Sequence, residues 1–272
     1  MFKQKISQHA VYTIIPAFLL LGCAPQAEKL ENTNSQRHLL QATLYAQSSA
    51  EYEALCLQAY TLAKIQMKKS LAAGIENPAV VLDLDETILD NSPYTGWQIK
   101  SGNSYKSDTW AGWVSAAEAE AIPGSIEFLQ WADSNEVKLF YISNRKADGL
   151  APTIKNLKNL KAPQADSSHI YLRTTTSDKS KRRAAVDSLG VNVVLYIGDN
   201  LGDYSEIWDK PAGVKNRKEF LVIQGADIGT KYISLPNPMY GTWEGALFNY
   251  DSSLSGEQLD SLRLLHLRAW DP

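Results

Sequence analysis

The sequence predicts an α/β fold in which helices flank a parallel sheet. Short apolar runs, typical of buried strands, occur at 79–84, 137–142, 170–172, 191–197 and 220–223. Predicted helices lie between successive runs, at 124–134, 150–160 and 179–189. Strands that alternate with helices indicate a parallel sheet. A long aromatic segment, about 92–122, interrupts this pattern and predicts a small, mainly helical cap over the strand ends.

The first 22 residues are typical of a secretory signal, with a basic start and a short apolar run at 10–21. The run is too short to span a bilayer comfortably. It ends in Leu20-Leu21-Gly22-Cys23, which resembles a bacterial lipobox, in which the cysteine is acylated and the peptide before it is removed. The alternative is an ordinary signal peptide that contains a cysteine. Cysteine is rare in this chain, which favours the lipobox.

The lipobox implies a protein held in the bacterial cell envelope by acyl chains, palmitate among them, on Cys23. Ala24 stands where an aspartate would signal retention, which by analogy with enteric sorting favours the outer membrane. The mature chain is then expected to comprise a polar tether at 23–36, a helical segment at 37–76 and a core at 77–272.

Within the helical segment, Leu55, Ala59, Leu62 and Ile65 recur at helical spacing and predict one buried helix face. Gly74 is the expected helix stop.

Composition excludes several classes of function. The chain has 272 residues with 27 lysines and arginines against 30 aspartates and glutamates, so its formal net charge is −3. A pI near 5.9 argues against binding a nucleic-acid polymer. Two cysteines cannot build a disulfide framework, and Cys56 is predicted to be a small buried residue of a helix. The four histidines are scattered, so no zinc site is predicted.

Polar residues stand just past three predicted strands: Asp83 and Asp85, Ser143 and Asn144, Asp199 and Asp203. Parallel sheets bind ligands beyond these carboxyl ends. Residues two apart at a strand end point the same way, so the carboxylates of Asp83 and Asp85 are expected to face one spot, joined by Asp199. Carboxylates this close require a cation or a shared proton. Oxygen ligands in this number suit Mg²⁺.

Paired carboxylates can divide the hydrolysis of a phosphate ester between them. One attacks phosphorus and becomes an aspartyl phosphate. The other protonates the leaving oxygen and then deprotonates the incoming water. Donors and a cation must balance the developing charge, and Ser143, Asn144 and Lys179 are the candidates. Lys181, in the same basic run, is the alternative cation.

Four sequence motifs, in order, resemble those of the haloacid-dehalogenase (HAD) superfamily. They are VLDLDETILDNSPY at 81–94, ISNR at 142–145, DKS at 178–180 and GDNLGD at 198–203. More narrowly, they are similar to the class C acid phosphatases, the lipoprotein e family, and the similarity extends through LPNPMYG at 235–241 to AWD at 269–271. The resemblance implies a Rossmann-like HAD core and a Mg²⁺-dependent phosphomonoesterase.

The resemblance also implies catalytic roles. Asp83 would be the nucleophile and a metal ligand, and Asp85 the general acid and base that binds the metal through its backbone carbonyl. Asp199 would bind the metal directly. Lys179 would pair with the phosphoryl group and with Asp83, while Asp203 would hold Lys179 or a metal-bound water.

Substrate contacts are implied in the same way. Ser143 and Asn144 would hold the phosphoryl group, and Trp110 and Tyr240 would sandwich a flat leaving group such as a nucleobase. Neighbouring aromatics, Trp113 and Trp243, are alternatives to this pair. Gly202 stands where many relatives carry aspartate, which removes one charge near the metal.

The expected substrates are nucleoside 5′-monophosphates, with nicotinamide mononucleotide a candidate, and the family analogy favours a homodimer. Two alternatives stay open. One is a phosphatase for phosphoproteins or sugar phosphates on the same scaffold. The other is a surface lipoprotein that binds a ligand without catalysis, which would need neither Asp85 nor Mg²⁺.

Overall fold

The computed structural model describes residues 36–208 and 213–271. The predicted signal segment, Cys23 and all of the tether but its last residue lie outside the described residues, so the lipobox stays a prediction. Within the described ranges, no helix combines the length and the apolar character that a membrane span requires.

Five parallel strands form the central sheet, in the spatial order β5-β4-β1-β6-β7. Two short strands, β2 and β3, pair antiparallel outside it. The strands are β1 (Pro78–Leu82), β2 (Leu89–Asp90), β3 (Glu120–Ala121), β4 (Lys138–Lys146), β5 (Ile170–Arg173), β6 (Asn192–Gly198) and β7 (Tyr232–Ser234). The sheet confirms the predicted α/β class.

Helices connect the strands and cover the sheet. They are α1 (Leu40–Ser48), α2 (Ala50–Ala72), α3 (Ser92–Ser101), α4 (Ser107–Ala116), α5 (Ser125–Ser134), α6 (Leu150–Asn159), α7 (Ser180–Asp187), α8 (Val214–Gln224), α9 (Thr242–Gly245) and α10 (Gly256–Leu265). Single turns of 3₁₀-helix lie at Arg37–Leu39, Ala147–Gly149, Leu201–Asp203, Glu206–Trp208, Gly225–Asp227 and Ala246–Phe248.

Strand β1 is buried on both faces, which explains its continuous apolar sequence. Val80 and Leu82 belong to the large core cluster, to which α2 and α5 also contribute. Ala79 and Val81 point to the opposite face and pack in a second cluster with Val186 of α7. Helices therefore cover both faces of the sheet, as the α/β pattern predicts.

The predicted strand at 220–223 is wrong, because this run lies in helix α8. Val222 and Ile223 are exposed rather than buried in a sheet. The fifth strand is β7, which pairs with β6. A short apolar run is ambiguous between a strand and part of a helix, and here the tertiary structure favours the helix.

The predicted buried face of the N-terminal helix is also partly wrong. The segment contains two helices, which meet at Ser49, whose hydroxyl caps α2 by accepting the Tyr52 N–H at 3.1 Å. Leu55 and Ile65 are exposed. The buried face of α2 consists of Tyr52, Cys56, Ala59, Tyr60, Ala63 and Met67. Apart from Met67, the buried residues of α2 are aromatic or small. The spacing of leucine and isoleucine therefore predicted a neighbouring face of the helix.

The predicted cap region consists of helices α3 and α4. It begins after β2 and ends before β3, and these two strands pair at Leu89–Ala121 and Asp90–Glu120. Tyr94 and Trp110, one from each helix, pack edge to face with ring centroids 5.1 Å apart. The cap therefore has its own aromatic contacts, and its two ends leave the core side by side.

Candidate active site

A cleft of about 710 Å³ lies where the carboxyl-terminal ends of β1, β4 and β6 meet the cap. Asp83, Asp85, Asn144, Lys179, Asp199 and Asp203 line it. Such a location is the expected ligand site of a parallel sheet. Of the seven residues that the sequence indicated for catalysis, the phosphoryl group and the metal site, all of which lie in the described part of the chain, six line this cleft. The seventh, Ser143, is fully buried.

The side-chain ammonium of Lys179 contacts two carboxylates in the cleft. It donates to Oδ1 of Asp83 and, at 2.7 Å, to Oδ1 of Asp203. Burial disfavours the charged ammonium, but Asp203 and Asp83 outweigh this effect and raise the pKa of Lys179 above its usual value. Lys181 is exposed. Of the two candidate cations, Lys179 therefore holds the position beside the predicted nucleophile.

Both carboxylate oxygens of Asp203 accept hydrogen bonds within the protein. Its Oδ1 accepts from Lys179, and its Oδ2 accepts the backbone N–H of Asn200 at 3.0 Å. The adjoining Gly198 leaves room for this carboxylate, because a Cβ at that position would lie 2.7 Å from the Cβ of Asp203. Asp203 therefore orients Lys179.

Asp83, Asp199 and Asp203 bring carboxylate oxygens within 4.8 Å of one another. Burial, followed by the charges of Asp203 and Asp83, raises the pKa of Asp199 well above its usual value. Burial also raises the pKa of Asp83, to about 7, although Lys179 opposes this shift. One ammonium thus does not compensate these acids, and an all-oxygen set of this charge fits a hard divalent cation. Both oxygens of Asp203 already accept a hydrogen bond, whereas Asp83 and Asp199 each keep one oxygen without such a partner among the described residues. Asp83 and Asp199 are therefore the carboxylates that could hold it.

The carboxylate of Asp85 does not join this acidic cluster, contrary to the expectation that Asp83 and Asp85 face one spot. Strand β1 ends at Leu82, so the alternation of an extended strand no longer applies to them. Asp85 forms an ion pair instead with the buried Arg145, with Nη2 2.8 Å from Oδ1. Glu86, the next residue, has a φ of 57°, which turns the chain away from an extended path.

Ser143 and Asn144, the predicted phosphoryl-binding pair, have different surroundings. The Ser143 hydroxyl is buried, donates to Oδ2 of Asp85 at 3.1 Å and accepts the Arg145 N–H at 3.0 Å. Asn144 is exposed, and its Oδ1 accepts from Nη2 of Arg182 at 2.7 Å. Arg182 also donates to the Ser143 carbonyl at 2.5 Å. Arg182 thus joins the carboxyl-terminal end of β4 to the start of α7.

Trp110 and Tyr240, the predicted substrate-binding aromatics, both line the cleft. Tyr240 is 38% exposed and Trp110 is half-buried. Trp113 has a different contact, because its indole Nε1 donates to Oδ1 of Asn91 at 2.7 Å. Trp243 donates to the Tyr240 carbonyl at 3.2 Å and is not among the cleft-lining residues of the described chain. Of these four aromatics, the structure thus brings Trp110 and Tyr240 to the cleft.

Sequence reasoning assigned no role to three residues that support the acids. Arg145 and Asn91 both bond Oδ1 of Asp85, and Asn237 donates through Nδ2 to Oδ2 of Asp199 at 2.8 Å. All three residues lie within sequence segments that resemble the family, Asn91 in 81–94, Arg145 in 142–145 and Asn237 in 235–241. Their contacts depend on loop geometry that strand periodicity does not describe.

Comparisons with known proteins agree with this geometry. The HAD superfamily, subfamily IIIB (Acid phosphatase), matches residues 18–243. The solved class C acid phosphatase from Bacillus anthracis is 42% identical, with a TM-score of 0.83, over 88% of this chain and 100% of that chain. A second structure of that protein, with tungstate bound, matches equally well.

Plant proteins are more distant relatives. Acid phosphatase 1 of Solanum lycopersicum is 27% identical over 180 residues, which is 63% of this chain. The stem 31 kDa glycoprotein of Glycine max is 27% identical over 177 residues, or 60% of this chain. The matches span 62% and 59% of the lengths of these two plant proteins. The match over most of the chain and the close structural likeness confirm the resemblance, and the chain belongs to the acid phosphatases of HAD subfamily IIIB.

Proposed function

We propose that this chain is a Mg²⁺-dependent phosphomonoesterase that acts through an aspartyl phosphate on Asp83. The observation that carries the proposal is the contact of Asp83 with Lys179, in a cleft that Asp85 and Asp199 also line. The Bacillus anthracis relative, solved with tungstate bound, supports an oxyanion site, because tungstate has the tetrahedral shape of phosphate.

Four residues of the cleft have separate roles in this reaction. A carboxylate oxygen of Asp83 attacks phosphorus, and the ester oxygen leaves with a proton from Asp85. Lys179, oriented by Asp203, balances charge on the phosphoryl group. Asp85 then accepts a proton from the water that attacks the aspartyl phosphate, which releases phosphate and restores Asp83.

Asp83 and Asp199, with the backbone carbonyl of Asp85, would hold the Mg²⁺. When bound, the ion would compensate the clustered carboxylates and the charge of the phosphoryl group. Asn237 donates a hydrogen bond to Oδ2 of Asp199 and so orients this carboxylate. This arrangement resembles other metal sites in which a neighbouring amide orients a ligand.

Nucleoside 5′-monophosphates, including nicotinamide mononucleotide, are the proposed substrates. Trp110 and Tyr240 line the same cleft as the acids and offer aromatic surface to a flat base. A volume of about 710 Å³ is in the range of pockets for molecules of this size.

The proposed location is the outer membrane, through acyl chains on Cys23. Such an enzyme would release nucleosides, which cross membranes more readily than charged nucleotides. Growth with a labelled palmitate analogue tests the anchor: label should enter the full-length chain and be lost in Cys23→Ser. Label in the variant, or none in the wild type, would refute it.

A panel of phosphate esters, assayed with purified protein with and without Mg²⁺, tests the activity. We expect phosphate release from p-nitrophenyl phosphate and nucleoside monophosphates, lost on chelation. Asp83→Asn should abolish it, by more than about a thousandfold, with an unchanged circular dichroism spectrum. Asp187→Asn, an exposed acid of α7, is the matched control and should keep full activity. Full activity of Asp83→Asn would reject the proposed nucleophile.

The panel also separates the alternatives. Preference for phosphopeptides or sugar phosphates over nucleotides would change the proposed substrate class. Ligand binding that is insensitive to chelation and is not followed by turnover would favour a non-catalytic binding protein.

A further inference from the structure

Arg145 is a buried arginine at the end of β4 whose guanidinium serves three groups. Its Nε and Nη2 lie 2.9 and 2.8 Å from Oδ1 of Asp85. Its Nη1 donates to the hydroxyl of Thr153 at 3.3 Å, and its Nη2 to Oδ1 of Asn91 at 3.3 Å. Thr153 and Asn91 are buried as well. These contacts determine the position of the guanidinium independently of Asp85.

The two oxygens of Asp85 have different surroundings. Oδ1 accepts hydrogen bonds from Nε of Arg145 and from Nδ2 of Asn91, each at 2.9 Å, and Nη2 of Arg145 lies 2.8 Å from it as an ion-pair contact. Among the residues that the structure describes, Oδ2 accepts from the Ser143 hydroxyl alone, at 3.1 Å. A carboxylate oxygen has two lone pairs. Oδ1 therefore has no place for a proton, whereas Oδ2 has a lone pair left for one.

The same guanidinium also lies beside the cap. Its Cζ is 5.9 Å from the centre of the Trp110 ring, at cation–π distance. Trp110 lines the cleft in which a leaving group would sit. Arg145 thus lies between the acid that would protonate a leaving group and a wall of that group's site.

We propose that Arg145 is a positioning residue that immobilises Oδ1 of Asp85, so that Oδ2 is the atom that transfers the proton. This inference rests on the proposed function. In the first step, the bond from Asp83 to phosphorus forms and the bond from phosphorus to the ester oxygen breaks. The proton on Oδ2 moves to that oxygen, and Asp85 becomes a carboxylate. In the second step, Oδ2 takes a proton from the attacking water, whose oxygen forms a bond to phosphorus while the bond from Asp83 to phosphorus breaks, and inorganic phosphate is released.

The test compares esters whose leaving groups differ in their need for a proton. p-Nitrophenolate leaves as an anion, whereas the alkoxide of glycerol 2-phosphate or a nucleoside monophosphate needs a proton. The measured quantity is kcat/KM, which reports the first irreversible step and not the later hydrolysis. In Arg145→Met we expect kcat/KM to fall less than about tenfold for the aryl ester and about a hundredfold or more for the alkyl esters.

Two further variants make the result specific. Arg217→Met removes another buried arginine, which donates to the Trp208 carbonyl and is not among the cleft-lining residues, and should leave the alkyl-to-aryl ratio unchanged. Arg145→Lys keeps the charge without the planar fork and should restore part of the lost alkyl activity. If Arg145→Met does not fold, Arg145→Lys alone should lower the alkyl-to-aryl ratio below that of the wild type.

Equal losses for aryl and alkyl esters would reduce Arg145 to a structural residue and overturn the inference. An unchanged ratio in both Arg145 variants would do the same. The wild-type activity and the Asp83→Asn variant report on the proposed function, whereas the alkyl-to-aryl ratio reports on Arg145. The two failures are therefore distinguishable.

Discussion

A side chain at Gly198 would overlap Asp203, because its Cβ would lie 2.7 Å from both the Cβ and the Cγ of Asp203. We expect Gly198→Ala to displace Asp203, to lower the free energy of unfolding by about 1–3 kcal/mol and to lower kcat about a hundredfold. Urea titration and phosphate release measure the two effects. Gly225→Ala is the control, because a Cβ there meets nothing within 4 Å. Full activity in Gly198→Ala would show that Asp203 is not needed to orient Lys179.

The position of Lys179 between two acids predicts which lysine is essential. Lys179→Met should lower kcat by at least about a hundredfold, because it leaves buried carboxylates without their cation. Lys181→Met, at an exposed neighbour, should stay within about twofold of the wild type. Steady-state kinetics on one ester measures both, and the reverse pattern would assign the cation to Lys181.

Burial of Asp83 predicts how the stability of the metal-free protein varies with pH. Its pKa rises from 3.8 to about 7 on folding, mainly through burial. Between these values the folded state binds more protons at this site than the unfolded chain, so stability falls as the pH rises. After chelation, the Tm of the wild type should therefore decrease relative to that of Asp83→Asn between pH 4 and 7.

Mg²⁺ should reverse this trend, because it competes with the proton for Asp83. The rise in Tm on adding Mg²⁺ should be larger at pH 7.5 than at pH 5, by differential scanning fluorimetry. An equal rise in Asp83→Asn would contradict the assignment of Asp83 as a ligand.

The bond from Asn237 to Asp199 predicts an effect on metal affinity rather than on folding. Asn237→Ala removes the donor to Oδ2 of Asp199, so the Mg²⁺ concentration for half-maximal activity should rise about ten- to a hundredfold. Asn159→Ala, at an exposed site, is the control and should not shift it. An unchanged Mg²⁺ titration in Asn237→Ala would separate Asn237 from the metal site.

Tyr240 predicts selectivity for flat leaving groups. Tyr240→Ala should raise KM for a nucleoside monophosphate about tenfold, the scale of one base stacked on one aromatic ring, and leave KM for glycerol 2-phosphate unchanged. Trp243→Ala removes a neighbouring aromatic that does not line the cleft and should change neither. Equal effects on both esters would indicate that Tyr240 does not contact the base.

Strand periodicity predicted the first four strands of the sheet to within a few residues, because buried parallel strands carry continuous apolar runs. It failed at 220–223, where four apolar residues belong to α8. The missed strand, β7, has three residues, too few to show a period. Which short segments join a sheet depends on contacts that are distant in sequence.

Strand ends and sequence motifs were sufficient to predict that Asp83, Lys179 and Asp199 lie in one cleft. The orientation of Asp85 was not, since its path follows a turn with φ of 57° at Glu86 rather than a strand. Its partner Arg145 could not be identified from sequence spacing either, because 60 residues separate the two.

The antiparallel pair of β2 and β3 has an evolutionary consequence. The cap segment begins and ends at this pair, where Leu89–Asp90 lies against Glu120–Ala121. An insertion of another size could be exchanged there without altering the register of the five-stranded sheet. Selectivity for the departing group can thus diversify among descendants while the hydrolytic machinery is inherited intact.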